Sequence, residues 1–284
     1  LPSSDFADMA VAVRPFRALH RLKEARVLFL QQGGPNPDYV KAIKDKFGTE
    51  IVNIEYEQLA DAYQSADETE VQADAEKWIA DAEKIVEPTR EEIVNASRMY
   101  LALAKLLEDE KADLITINCL GMGLMQRGMA YPCLGFSRLS SMGLGGVCEA
   151  DLKSSMTHLV FQSLSGKPGF VSDPVIDLSQ NAVIHAHCVS PIKMDGPHGE
   201  QSPYIIRNHL EDAQGVSLYV RMRIGQPISM ARLIGPDIML FSTGEIIDTP
   251  YVERGCRTKI TTKVKNAQKI LENYSCGLHR VIFY

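Results

Sequence analysis

Side chains that could bind a metal ion occur at three separated places in the second half of the sequence. Glu149 lies in the segment Gly-Gly-Val-Cys-Glu-Ala-Asp, Asp173 in Phe-Val-Ser-Asp-Pro, and His279 in Cys-Gly-Leu-His-Arg. Taken singly, Glu149 could cap the start of a helix and Asp173 could be a turn residue at the end of a short strand. Taken together, two carboxylates with one or two imidazoles suit a divalent ion such as Mn²⁺ better than a thiol-binding ion.

A pair of histidines follows Asp173 in the segment Asn-Ala-Val-Ile-His-Ala-His-Cys at 181–188. Alternate residues of a β-strand face the same side, so His185 and His187 are predicted to share a polar strand face opposite Ala and Ile side chains. Two imidazoles are unusual on a strand that has no other need for polar groups. Either ring could still be an ordinary hydrogen-bonded residue of the core or surface.

Other motifs in the sequence do not indicate a cofactor. The six cysteines include no C-x-x-C pair, which argues against a zinc ribbon and a disulfide framework, and most are expected to be buried small side chains. The glycine-rich segments 121–123 and 143–146 match neither the dinucleotide fingerprint nor the phosphate-binding loop. Both segments are therefore predicted to be tight turns.

The elements that must position these residues fall into two groups. In the first half, short apolar runs alternate with amphipathic helices, including long helices at about 69–85 and 89–109. This alternation predicts a parallel, helix-covered sheet. After one helix at about 149–164, short runs with apolar residues at every second position predict an antiparallel barrel or sandwich.

The fold class is therefore α/β, with a parallel-sheet domain followed by a mostly antiparallel, barrel-like domain. A length of 284 residues favours two cores, with expected boundaries at 1–145 and 146–284, the second part carrying the metal site. The polar loop at 193–203 could cover a bound molecule or simply connect two strands.

The charge and hydropathy of the sequence argue against two classes of partner, nucleic acids and membranes. With 36 acidic and 30 basic residues the net charge is -6, so no basic field attracts nucleic acid. No run approaches the roughly 20 apolar residues needed to span a bilayer, and the N-terminus lacks a basic segment followed by an apolar one. We therefore expect no nucleic-acid partner, no membrane partner and a cytoplasmic location.

The ordered motifs Cys-Glu-Ala-Asp at 148–151, Asp-Pro at 173–174 and Gly-Leu-His at 277–279 resemble the metal motifs of the L-fucose isomerase and L-arabinose isomerase superfamily. The α/β part resembles the middle domain of that family and the β-rich part its C-terminal domain. The resemblance implies that Glu149, Asp173 and His279 bind Mn²⁺ or another divalent cation. His187 is the closest match to a further histidine ligand of the arabinose isomerases. The additional N-terminal domain of the family is expected to be missing from this chain.

The resemblance implies an intramolecular oxidoreductase that interconverts an aldose and a ketose through a metal-stabilised enediolate. Glu149 and Asp173 would serve as ligands and as candidates for the proton carrier between adjacent carbons, with the base left open between them. The partners would be a small-molecule sugar and further copies of the chain in a homo-oligomer. The sugar stays open because Asp173 matches the fucose branch and His187 the arabinose branch. One alternative is a non-catalytic sugar-binding or regulatory protein, and another is a metal hydrolase, for which no nucleophile motif is present.

Overall fold

The structure is a computed structural model that describes residues 5–119, 123–210 and 213–284. Gly121 and Met122, part of the first predicted glycine turn, lie outside these ranges. The α-helices are α1 (Phe6–Glu24), α2 (Pro37–Phe47), α3 (Tyr56–Gln64), α4 (Glu68–Asp81), α5 (Arg90–Asp109), α6 (Cys133–Ser141), α7 (Leu152–Ser165) and α8 (Ala267–Glu272). The strands of the first part are β1 (Arg26–Leu30), β2 (Glu50–Asn53), β3 (Lys84–Ile85), β4 (Leu114–Ile117) and β5 (Gly145–Cys148). Those of the second part are β6 (Phe170–Asp177), β7 (Ala182–His187), β8 (Tyr204–Arg207), β9 (Ser217–Val220), β10 (Pro227–Gly235), β11 (Ile238–Asp248), β12 (Thr258–Val264) and β13 (Arg280–Phe283).

The first part contains the predicted parallel sheet, with strand order β2-β1-β4-β5. All four residues of β4 are buried, which explains why apolar residues occur on both faces of the strand, at Leu114, Ile115 and Ile117, instead of alternating with polar ones. Helices α5 and α7 both pack on β4. A reciprocal capping box between Thr89 and Glu92 starts α5, which confirms the helix predicted at about 89–109. The helix predicted at about 69–85 is confirmed as α4 only as far as Asp81, because Lys84–Ile85 form β3.

The second part contains a closed antiparallel barrel in the order β10-β11-β12-β7-β6-β13. Strand β13 closes it by pairing with β6 on one side and with β10 on the other. Apolar side chains from several strands fill the interior, among them Phe170, Val183, Met230 and Ile260. The barrel-like architecture predicted from the alternating runs is confirmed, because the strand pairing closes on itself.

A small third sheet connects the two parts, because β3 pairs in parallel with β8 and β8 pairs with β9. Its side chains pack on helix α4, where the Tyr204 hydroxyl donates to the Trp78 carbonyl at 3.0 Å. Strand β5 belongs to the parallel sheet and runs across the expected boundary between residues 145 and 146. That domain boundary stays a prediction.

The structure corrects two expectations about the strands near the site. Strand β6 does not end at Pro174 but continues to Asp177. Its pairing with β13 stops at Ser172, so from Asp173 onward β6 has only β7 as a partner, and proline is tolerated on such a one-sided segment.

The face that His185 and His187 share is the buried interior of the barrel, not a polar surface, and Val183 lies on it as well. The interior accepts the His185 ring because both of its nitrogens have hydroxyl partners. Nδ1 lies 3.1 Å from Ser172 Oγ, and Nε2 lies 3.2 Å from Thr262 Oγ1.

The expectation that most of the cysteines are buried is borne out. Cys119, Cys133, Cys148 and Cys188 are buried free thiols, while Cys256 and Cys276 are partly exposed. None of the described helices combines the length and apolar character that crossing a membrane requires.

Protonation of the buried His158 should make the protein acid-sensitive. Neither ring nitrogen forms a hydrogen bond with the described residues, and burial lowers the pKa from 6.5 to about 4. Between these pH values the unfolded chain binds the extra proton, so the free energy of unfolding should fall by up to about 1.4 kcal/mol per pH unit as the pH decreases.

The test is His158→Leu, with urea unfolding measured at several pH values between 4.5 and 7. In the variant, the slope of the free energy of unfolding against pH should be smaller by up to about 1.4 kcal/mol per pH unit, the contribution of one proton. Burial also lowers the pKa of His185, to about 3, so this residue should leave part of the pH dependence in the variant. Equal slopes in the variant and the wild type would refute the assignment to His158.

Candidate metal centre

The predicted site residues meet where the carboxyl end of the parallel sheet faces one end of the barrel. Glu149 follows the last residue of β5, and Asp173 lies on β6. His187 is the last residue of β7, and His279 directly precedes β13. The carboxyl ends of parallel strands are the usual place for ligand sites in α/β sheets.

The turn that presents Glu149 is strained. Glu149 and Ala150 have φ values of 62° and 51°, and this left-handed conformation costs non-glycine residues roughly 1–2 kcal/mol each. The Ala150 N–H donates to the Ile117 carbonyl at 3.0 Å, which ties the turn to β4. Such strain is often kept at functional sites because it fixes the direction of a side chain.

Glu149 does not start the following helix, so the helix-capping interpretation is wrong. Asp151 caps α7 by accepting from the backbone N–H groups of Lys153 and Ser154 at 3.0 and 3.1 Å. The left-handed turn places Glu149 outside the helix. Its carboxylate is directed to the histidines of the site instead.

Two of the predicted ligands, Glu149 and Asp173, converge on one atom of a third, Nε2 of His279. Glu149 Oε2 lies 3.5 Å from this nitrogen, and Asp173 Oδ1 lies 3.4 Å from it. His187 completes the group, with its Nε2 3.8 Å from Glu149 Oε1 and its ring centroid 5.3 Å from that of His279. The structure therefore brings together all four residues that were predicted from the sequence.

The other nitrogen of His279 is held by a buried carboxylate. His279 Nδ1 lies 2.8 Å from Asp151 Oδ2, and the same oxygen accepts from Arg232 Nη1 at 2.7 Å. Arg232 also donates to the His279 carbonyl at 3.2 Å, so it fixes both the carboxylate and the backbone. Gly277 is required beside it, because a Cβ there would lie 2.3 Å from Arg232 Nε.

These contacts set the charges of the site. Burial opposes ionisation of Asp151, but the His279 hydrogen bond and the Arg232 guanidinium outweigh it and hold the pKa of this carboxyl well below its usual range. The His279 hydrogen bond also lowers the pKa of Glu149. Burial disfavours the charged His279 ring, yet Asp151 and Glu149 outweigh it and raise its pKa to about 9. The surrounding carboxylates therefore stabilise a positive charge at Nε2 of His279.

The donor set fits a divalent cation. With the Nδ1 proton of His279 donated to Asp151, Nε2 is the atom that could give its lone pair to an ion beside Glu149 and Asp173, in place of the proton that it carries when the ring is charged. A carboxylate that orients the far nitrogen of a ligating histidine is a common feature of metal sites. Asp173, His187 and His279 also offer ligand atoms that all lie within 4.8 Å of one another. These residues could hold a metal ion.

A second overlapping group includes a thiol. Cys148, Glu149 and His187 also offer ligand atoms within 4.8 Å of one another. The Cys148 thiol already contacts another thiol, with its Sγ 2.9 Å from that of Cys119. Because hard ions such as Mn²⁺ prefer oxygen and nitrogen donors, the group around His279 is the better candidate for such an ion.

His187 differs from His279 in the polarity of its ring. The Cys188 backbone N–H donates to His187 Nδ1 at 2.9 Å, which places the proton of the neutral ring on Nε2. Burial, with a smaller effect of His279, lowers the pKa of His187 to about 3, so the ring is neutral. Its buried Nε2 has no hydrogen-bond partner among the described residues.

Two residues that support the site were not predicted from the sequence. In the sequence, Asp151 stands out only as part of the motif that contains Glu149, although an Asp just before a helical run is a capping signal. Arg232 lies on β10 at the same alternation as Ile228 and Met230, both of which are buried. A charged residue on an apolar strand face signals a buried partner, and this signal was available.

The polar loop at 193–203 connects β7 to β8 and does not cover the site. Lys167, just beyond the end of α7, forms an ion pair with Asp195 of this loop, and a Cβ on Gly196 would lie 3.0 Å from the Gly166 carbonyl. Glu149 lies before the opposite end of α7, and a helix of this length spans about 21 Å. The interpretation as a connecting loop is the one that the contacts favour.

Comparison of the chain with models of known protein families found no match. Comparison with curated proteins also found none. The likeness to the L-fucose and L-arabinose isomerase superfamily therefore stays a hypothesis based on the motifs and on the geometry of the site.

Asp151→Asn should weaken metal binding without breaking helix α7. Asparagine still caps a helix, but it removes the negative charge that orients His279 and neutralises Arg232. We expect Mn²⁺ affinity to fall by about 10- to 100-fold, together with a loss of stability because Arg232 is left buried without its charge partner.

The measurement is the electron paramagnetic resonance signal of free Mn²⁺ during titration, with urea unfolding in parallel. Asp177→Asn is the matched control, since Asp177 is a partly exposed carboxylate at the end of β6 outside the site, where it accepts from Ser179 Oγ. Equal Mn²⁺ affinity in Asp151→Asn and the control would rule out this role for Asp151.

Proposed function

We propose that this chain is a metal-dependent aldose–ketose isomerase, in which Glu149, Asp173 and His279 hold Mn²⁺ or another divalent cation. The ordered motifs that contain these residues resemble those of the L-fucose and L-arabinose isomerase superfamily. The parallel sheet followed by an antiparallel barrel agrees with the fold that this resemblance implies.

The observation that carries the proposal is the convergence at His279 Nε2. Residues far apart in the sequence place two carboxylates within 3.5 Å of one imidazole nitrogen whose opposite side is held by Asp151. An ordinary cluster of charged residues on the surface would not need a buried ion pair such as Arg232–Asp151 next to it. A pre-oriented set of oxygen and nitrogen donors supports metal chemistry on an oxygen-rich substrate.

Interconversion of an aldose and a ketose requires a proton transfer between carbons, which one of the two carboxylates would carry out. When bound, the divalent ion would act as a Lewis acid on two neighbouring sugar oxygens and stabilise the negative charge that develops as a proton leaves carbon. Glu149 or Asp173 would take the proton from the carbon next to the carbonyl and return it to the former carbonyl carbon. A second proton moves between the two oxygens, so the reaction is a net rearrangement without an external oxidant.

The surroundings are suited to this proton transfer. The pKa of Glu149 is lowered chiefly by the His279 hydrogen bond, so it is ionised at neutral pH and can accept a proton. Asp151 is committed to His279, Arg232 and the helix cap, which excludes it as the mobile base. The carboxylates assigned to catalysis and the carboxylate assigned to support thus have separate roles.

Glu149→Gln and Asp173→Asn should each lower Mn²⁺-dependent ketose formation by at least about 10²- to 10⁴-fold, the usual contribution of a positioned acid or base. Both changes keep side-chain size, so the unfolding transition should be retained. The assay incubates the protein with a panel of aldoses that includes L-fucose, D-arabinose and L-arabinose, with Mn²⁺ or with a chelator.

Asp177→Asn again provides the matched control and should retain wild-type turnover. Retained turnover in Glu149→Gln or Asp173→Asn would remove that residue from the mechanism. Sugar and metal binding by the wild-type protein without any ketose would support the non-catalytic sugar-binding alternative instead.

A further inference from the structure

The two histidines of the site present opposite polarities to the same space. His279 uses its Nδ1 proton for Asp151, so its Nε2 can turn a lone pair inward when an ion replaces the proton there. His187 uses its Nδ1 lone pair to accept the Cys188 N–H at 2.9 Å, which leaves a proton on Nε2. A neutral imidazole has one donor and one acceptor nitrogen, so the contact that Nδ1 of each ring makes decides what Nε2 can do.

This polarity makes His187 a poor metal ligand. A metal ion needs the lone pair of Nε2, and freeing it would require either an imidazolate or a proton on Nδ1. A proton on Nδ1 would be directed at the Cys188 N–H, so the backbone hydrogen bond would be lost. His279 meets neither obstacle, because its Nδ1 has a carboxylate to which it can donate.

The Nε2–H group of His187 is a buried donor that faces the site. The side chain is 4% exposed, Glu149 Oε1 is 3.8 Å away, and no described residue accepts a hydrogen bond from it. A buried donor without an acceptor costs about 1–3 kcal/mol, which a ligand oxygen placed there would recover. The His279 ring, with its centroid 5.3 Å away, provides the metal-facing nitrogen on the other side of the same space.

We propose that His187 is not a metal ligand and that its Nε2–H donates a hydrogen bond to a hydroxyl or carbonyl oxygen of the bound sugar. This inference rests on the proposed isomerase function. Glu149, Asp173 and His279 would then be the residues that hold the ion. The ring would position an oxygen-rich substrate of the polyhydroxy carbonyl class.

Metal affinity separates the two roles of His187. In Mn²⁺ titrations followed by electron paramagnetic resonance, His187→Gln and His187→Leu should bind Mn²⁺ within about threefold of wild type, whereas His279→Gln should bind it more than about 100-fold more weakly. A His187 variant that loses as much Mn²⁺ affinity as His279→Gln would overturn the inference.

Binding of an unreactive polyol measures the donor role directly. In calorimetric titrations of the Mn²⁺-loaded protein with the alditols of the assayed sugars, His187→Leu should bind about 5- to 10-fold more weakly than wild type. His187→Gln keeps an N–H donor and should recover part of the affinity. Unchanged alditol affinity in His187→Leu would also overturn the inference.

The tautomer can be tested in the wild-type chain even if the variants do not fold. Long-range ¹H–¹⁵N spectra of histidine-labelled protein should show one ring protonated at Nε2 that keeps this proton when Mg²⁺ is added, and a second ring whose Nε2 shifts. Loss of both Nε2–H signals on addition of the ion would contradict the donor role. Failure of wild-type protein to bind either ion would instead refute the proposed function itself.

Discussion

The buried contact between Arg232, Asp151 and His279 is the interaction on which the site depends. Asp151 caps α7 on the sheet side, Arg232 belongs to β10 of the barrel, and His279 introduces the strand that closes the barrel. One carboxylate therefore positions a helix, balances a buried guanidinium and orients an imidazole. A buried charge pair is costly to desolvate and seldom serves stability alone, so its retention here agrees with a role in holding His279.

The strained turn at Glu149 acts together with this contact. The two left-handed residues let the chain pass from β5 to α7 while Glu149 remains outside the helix and Asp151 takes the cap. Two carboxylates only two positions apart can thus do different work, one beside the histidine nitrogen that faces the site and one behind the ring. The different roles of Glu149 and Asp151 depend on the direction of the backbone at each residue, since both side chains are carboxylates.

Local patterns in the sequence predicted much of the fold but only part of the site. The apolar run of β4 and the helical spacing of α5 predict a parallel sheet because both signals are contained within one element. Strand alternation shows that His185 and His187 share a face, but closure of the barrel decides that this face is interior. Asp151 was missed as a site residue because its partners lie 128 and 81 residues away, at His279 and Arg232, a separation that no local pattern records.

The closing strand has a consequence for how the protein matures. His279 follows every other site residue in chain order and is brought into place by β13, which pairs with both β6 and β10. A ribosome-bound nascent chain that displays the sheet and most of the barrel would still lack the nitrogen on which the donors converge. Binding of the cation that we propose would then follow barrel closure, and the bound ion would favour the closed state by mass action.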